Sequence, residues 1–315
     1  MVVEWQELRI RSLGAAEQHE RIAVAASTTL QLTYRNLRLG IAATVVLIGV
    51  AVTLVTIDDG VLVSISAYYY TPARNVLVGA LVAAALGMLA LSGRGVQRAL
   101  LDAAALFAPL IALVPTLLTP SKSPGAADDV CGAAATCTPS TVLPDVEIGV
   151  WTYLIVGTGA VVVAIVVASV RAEREGWAAV RSLVPSFAIA IAVLVVVFVA
   201  WTAQREAFLA STHLAASVVF FGLIAGVAVA NAIEPADHPT WRFPAALRVA
   251  YWVIAVALVV DLLGLIVVVG SGLAVEVTPS PLFVGEAIAL GLFVVFWVVQ
   301  SVQKWNEDDP RIRAV

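Results

Sequence analysis

The chain has 315 residues, of which 61% are hydrophobic and 13% charged, with a mean hydropathy of +0.98. Soluble domains are rarely so apolar. The net charge of −4 also excludes the basic footprint of a nucleic-acid-binding protein.

Residues 1–38 alternate apolar and charged positions, with Trp5, Leu8 and Ile10 set against Glu4, Glu7, Arg9 and Arg11. They read either as an amphipathic helix on the membrane or as a solvated cytoplasmic tail. No cleavable signal opens the chain, so the first span itself is expected to direct insertion. Residues 39–303 form the transmembrane unit and 304–315 a second cytoplasmic tail. The fold class is all-α, a polytopic helical bundle. Eight apolar runs approach or reach the roughly 20 residues a bilayer crossing requires. They lie at 39–57, 72–92, 100–118, 148–170, 183–202, 211–232, 247–270 and 281–303.

Charge orients them. Arg9, Arg11, Arg21, Arg35, Arg38, Arg94, Arg98, Arg171, Arg174, Arg181, Arg242, Arg248, Lys304, Arg311 and Arg313 fall on one side. Only Arg74, Lys122 and Arg205 fall on the other. The positive-inside rule then places both termini in the cytoplasm of a cell-membrane protein.

Three tyrosines, three hydroxyl residues and an arginine stand together at the mouth of the second span, in Ser64-Ile65-Ser66-Ala67-Tyr68-Tyr69-Tyr70-Thr71-Pro72-Ala73-Arg74-Asn75. Proline suits the first position of a helix and Thr71 suits its N-cap, so the second span is expected to start at Pro72. A helix N-terminus with Arg74 in its first turn suits an anion, such as a lipid headgroup or a small anionic ligand. Against this, tyrosines gather at membrane interfaces because they are amphipathic, and arginines snorkel.

Pro109 and Pro115 interrupt the third span and are expected to kink it or open its outer end. The loop 119–147 follows, facing out, with the only two cysteines. Cys131 and Cys137 suit a small disulfide ring on an oxidising side. A metal would need more ligands than this loop offers, and no cofactor is indicated.

Ionisable residues inside spans are the best functional pointers in such a chain. Asp261 lies mid-span with the small residues Ala257 and Gly264 on its face, which predicts packing against another helix. His213 opens the sixth span and Glu286 lies one turn into the last; Asp145 and Glu147 open the fourth. Ser64, Tyr68, Tyr69, Arg74, Asn75, His213, Asp261 and Glu286 are therefore the candidate ligand-binding residues, most of them gathered in the outer half of the bundle. Three readings compete for them. One is a buried salt bridge of Arg74 with Glu286 or Asp261. The second is a ligand or headgroup pocket, and the third a proton or ion path through Asp261.

The run Ser64–Gly79 resembles the motif I-S-x-Y-Y-x-T-x-x-R-[DN]-V-x-V-G of a family of uncharacterised bacterial multi-pass membrane proteins. The resemblance continues at Val114-Pro115-Thr116, at His213 before Phe220-Phe221, and at Glu286-Ala287 before Phe296-Trp297 and Lys304. It implies that Ser64, Tyr69, Arg74, His213 and Glu286 are the family's polar positions. It implies no chemistry. Asn75 stands where the motif favours aspartate. The ceramidase and progestin-receptor superfamily of zinc hydrolases fits poorly, because it needs three histidines around the metal. Here His19 and His238 lie in the expected cytoplasmic segments, leaving His213 alone.

The leading expectation is a non-enzymatic membrane protein that binds, and in one version transports, a small or lipidic anionic ligand in an outward-facing pocket. The alternatives are an intramembrane lipid hydrolase using Ser64 or Ser66 with His213, and a structural subunit of a membrane assembly.

Overall fold

The computed structural model describes residues 2–92, 95–120, 130–132, 134–233, 244–271 and 279–305, with side chains from residue 29 onward. Arg94, Lys122, His238, Arg242, Arg311 and Arg313 lie outside the described residues, as do the side chains of Arg9, Arg11, His19 and Arg21. So do parts of the 119–147 loop and of the C-terminal tail.

Among the described residues eight α-helices make up the bundle and there is no strand, only a single bridge between Leu118 and Cys137. They are α1 (Val2–Asp59), α2 (Arg74–Ala90), α3 (Gly95–Leu113), α4 (Leu143–Glu175), α5 (Val184–Ala203), α6 (Arg205–Ala232), α7 (Pro244–Ser271) and α8 (Pro281–Gln303). Seven are long and apolar enough to cross a membrane, and α2 is a shorter apolar helix.

The sequence punctuates them physically. Pro144, Pro185 and Pro281 sit in first turns, where the missing N–H is no loss. Ser280 caps α8, its hydroxyl accepting the Leu282 N–H at 3.1 Å. Gly60, at φ +82°, turns the chain after α1.

Several expected boundaries move. Residues 2–38 join the first span in one helix. The second helix starts at Arg74 rather than Pro72, because the preceding residues close a 3-10 turn, Ser66–Tyr70. Thr71 still works as a local cap: its hydroxyl donates to the Tyr68 carbonyl at 2.7 Å and accepts the Ala73 N–H at 3.2 Å. The third helix ends at Leu113 rather than 118, since Pro115 cannot continue it. Pro109 stays inside that helix. The fourth and sixth helices run longer than expected, from Leu143 and from Arg205.

α3 lies at the centre, packed most heavily on α2 and α6. The main core joins α1, α2, α3, α6, α7 and α8 around Tyr251, Phe220, Phe293, Phe296 and Trp297. A second core ties α3 to α4, α5 and the start of α6. A third fixes the segment between α1 and α2 through Leu62, Ala67, Tyr68 and Leu77. Non-helical backbone at such a depth is tolerated when protein covers it. α4 stands at the edge with nearly all of its apolar surface uncovered, as lipid-facing valines allow. At the end of the bundle that carries the 3-10 turn, Cys131 and Cys137 are disulfide-bonded, with Cα atoms 5.5 Å apart.

Candidate functional site

The 3-10 turn and the unwound end of α3 build the site between them. Pro115 has no N–H, so the Ile111 carbonyl loses its i+4 donor and the chain leaves the helix. That exposes carbonyls 114–118 to other partners. The His213 Nδ1, from α6, meets the Val114 carbonyl at 2.8 Å, with the Ile111 carbonyl also close to the ring. Tyr70 donates its phenol to the Thr116 carbonyl at 2.6 Å. Burial pushes the Tyr70 phenol well above its ordinary range, which keeps it a neutral donor.

On its other edge His213 meets Ser66, Nε2 to Oγ, at 2.9 Å. Glu286 from α8 grips the same serine with both oxygens. Oε1 lies 2.9 Å from Ser66 Oγ, and Oε2 accepts the Ser66 N–H at 3.0 Å. The Ile65 N–H also bonds the carboxyl. Two helices, α6 and α8, thus converge on the one hydroxyl of the turn. Gly285 permits the approach, since a Cβ there would stand 2.4 Å from the Leu265 side chain of α7.

Ser66, His213 and Glu286 line a cavity of about 320 Å³. The rest of its wall is mainly apolar, from Ile48, Leu77, Leu81, Leu265, Leu290 and Phe293 among others. Tyr69, Thr44, Thr116 and Ser217 add polar positions.

Comparison with protein-family profiles, with curated proteins and with solved structures found no match to this chain.

The expected site residues divide into two groups. His213, Glu286 and Tyr69 line the cavity. The others do not. Ser64 is buried and holds the turn, accepting the Ala67 N–H at 2.9 Å. Tyr68 is fully buried, its phenol bonded to Thr56 and to the Leu62 N–H. Asn75 is exposed. Arg74 donates to the Tyr69 phenol at 2.8 Å, stacks over that ring, and pairs with Asp145 at 3.0 Å. Its partner is thus neither Glu286 nor Asp261. Asp261 is half-buried on α7 and absent from the cavity wall, and its Oδ2 has no hydrogen-bond partner among the described residues. The face of α7 that reaches the cavity is instead Leu262, Leu265 and Val269.

The participants that sequence reasoning undervalued are Ser66, named only as an alternative nucleophile, and the Val114 carbonyl. Pro115 was the signal for the second, since a proline near a span end frees a carbonyl for an outside donor.

Among the described residues no group of three His, Cys, Asp or Glu could hold a metal ion.

Proposed function

We propose that this is a membrane protein that binds a small or lipidic ligand inside the bundle, its apolar body in the cavity and a hydrogen-bonding head at Ser66, His213 and Glu286. The observation that carries this reading is the amphipathic cavity itself, apolar over most of its wall with its acid–base groups gathered around one hydroxyl. The Arg74 guanidinium is engaged with Tyr69 and Asp145 and does not itself line the cavity, so the head need not be anionic. Transport is one version of this binding, with release to either side of the membrane. We also take both termini as cytoplasmic, from the distribution of arginines, and the disulfide end as facing out, in line with an oxidising compartment. The membrane is then a cell membrane, and the Ser64–Gly79 run serves as the signature of the bacterial family it resembles.

A hydrolase centred on Ser66 is the second reading, favoured by the 2.9 Å contact of its hydroxyl with His213. It is weakened by Glu286. The carboxyl occupies the Ser66 N–H, and Ser64 occupies the Ala67 N–H, so the two amides nearest the hydroxyl are not free to serve an oxyanion. A structural subunit without a ligand is the third.

Native mass spectrometry of the purified protein, with lipid extraction, separates these. Ala210 lines the cavity and is exposed, so Ala210→Trp closes its mouth without disturbing the core. A defined lipid or metabolite is expected on the wild type and on Arg74→Ala, and lost from Ala210→Trp. A wild type that carries nothing specific, or an Ala210→Trp that keeps the same ligand, overturns the binding reading. Labelling of Ser66 by a fluorophosphonate probe would move the protein to the hydrolase class.

A further inference from the structure

The hydrogen bonds around Ser66 contain more contacts than its own proton can fill. His213 Nδ1 faces a main-chain carbonyl, which only accepts, so Nδ1 carries a hydrogen. A neutral His213 therefore presents a bare lone pair at Nε2, 2.9 Å from Ser66 Oγ. Glu286 Oε1 lies at the same distance, 2.9 Å, from that oxygen. Serine has one hydroxyl hydrogen. With an ionised Glu286 and a neutral His213, it could satisfy only one neighbour and would leave the other facing it lone pair to lone pair. One added proton resolves this in either of two ways. In the first, Glu286 is the acid: Oε1–H donates to Ser66 Oγ, the Ser66 hydroxyl donates to His213 Nε2, and Oε2 accepts the Ser66 N–H. In the second, His213 is the imidazolium: Nε2–H donates to Ser66 Oγ, whose hydroxyl donates to the Glu286 carboxylate. Both arrangements have no net charge, which suits the apolar surroundings. A second added proton would leave a net positive charge there.

We propose that Glu286, Ser66 and His213 form one proton-binding site in the cavity wall, holding a single shared proton that Ser66 relays between the carboxyl and the imidazole. The transfer is balanced. The Oε1–H proton of Glu286 passes to Ser66 Oγ as the serine's own proton passes to His213 Nε2. One O–H bond breaks and forms at serine, and the site keeps its charge. A ligand head that bonds Ser66 breaks the relay, so ligand and proton compete for the same oxygen. This last consequence rests on the binding reading above; the proton site itself does not.

Among the described residues no other ionised side chain lines the cavity near the three. On the turn, Tyr69 is held by Arg74, and Tyr70 by Thr116. From α4, Asp145 and Glu147 are paired with Arg74 and Arg205. Asp58 and Asp59 of α1 and Glu206 of α6 are exposed, and Asp261 of α7 lies off the wall. α2, α3 and α8 present no second titratable group there.

The test needs no ligand. The full-length protein in lipid nanodiscs is examined at neutral pH by infrared spectroscopy, for a protonated-carboxyl stretch that Glu286→Gln removes. Nitrogen NMR of its histidines, assigned with His213→Gln, reads the imidazole. One proton is expected: either protonated carboxyl with Nδ1–H neutral imidazole, or carboxylate with imidazolium. Carboxylate with neutral imidazole, or both groups protonated, overturns the proposal. The relay has its own check. Glu286→Gln should shift the His213 titration in both backgrounds, through the field of the carboxyl, and by more with Ser66 present than in Ser66→Ala. Equal shifts in the two backgrounds would show that serine carries nothing between them. A failed proton count with a co-purified ligand still in place would remove the relay and leave the binding reading standing.

Discussion

Glu286 is the residue whose replacement discriminates most. Glu286→Ala removes the acceptor for the Ser66 and Ile65 N–H groups. The Ser66 hydroxyl is not stranded, because it can turn to His213 Nε2. Leaving a buried donor unmet costs roughly 1 to 3 kcal/mol. Two donors are involved and the cavity admits water, so the loss should be about 2 to 4 kcal/mol. Glu286→Gln has nearly the shape of the protonated acid. Its carbonyl accepts the Ser66 N–H, and its NH2 donates to Ser66 Oγ. If the shared proton rests on the carboxyl, the glutamine variant should fall within about 1 kcal/mol of wild type, the net worth of one ordinary hydrogen bond. Denaturant titration of the detergent-solubilised protein, followed by helical circular dichroism, measures both. Equal losses in the two variants would refute the reasoning, because they would mean the carboxylate's charge, and not its hydrogen-bond pattern, holds the turn.

The Gly285 approach and the disulfide carry two further predictions. In Gly285→Ala the new Cβ meets Leu265 at 2.4 Å, so it should cost about 1 to 3 kcal/mol and drive Leu265 toward the cavity it lines. Gly291→Ala, on the same helix with nothing within 4 Å, should be neutral or slightly stabilising in the same titration. Cys131→Ser with Cys137→Ser opens a ring whose cysteines are six positions apart, and loop-closure entropy sets the loss at about 2 kcal/mol. The spectroscopic state of Glu286 should not change, as the ring is not part of the cavity wall.

The depth of the site could be read from the sequence, but its assembly could not. Span register alone puts His213 and Glu286 near the same end of the bundle. That they meet across one serine depends on a 3-10 turn and an unwound helix end, which apolar periodicity does not encode. Arg74 shows why pairing failed. It occupies the first position of α2, at the rim, so its partner is another rim residue, Asp145, which is half exposed at 53%. An exposed pair of this kind contributes little to stability, which is why Arg74→Ala is expected to stay folded. Asp261 shows the limit of reading a helix face from small neighbours. One residue is about 100° of helix, and that step separates Asp261 from Leu262 on the cavity wall. The disulfide was legible because the two cysteines stand six positions apart in one loop.

His213 is oriented by a peptide carbonyl, in the place where many catalytic histidines lean on a carboxylate. A carboxylate can be lost by one codon change at its own position. The Val114 carbonyl belongs to every amino acid that could stand there, so no replacement of residue 114 deletes it. The orientation of the imidazole is instead inherited through Pro115, which keeps the helix from closing over that oxygen. In a diverging lineage the ring's alignment should therefore track a residue that has no titratable group at all, and exchange of Pro115 for a helix former should release His213 while leaving every polar side chain of the site in place.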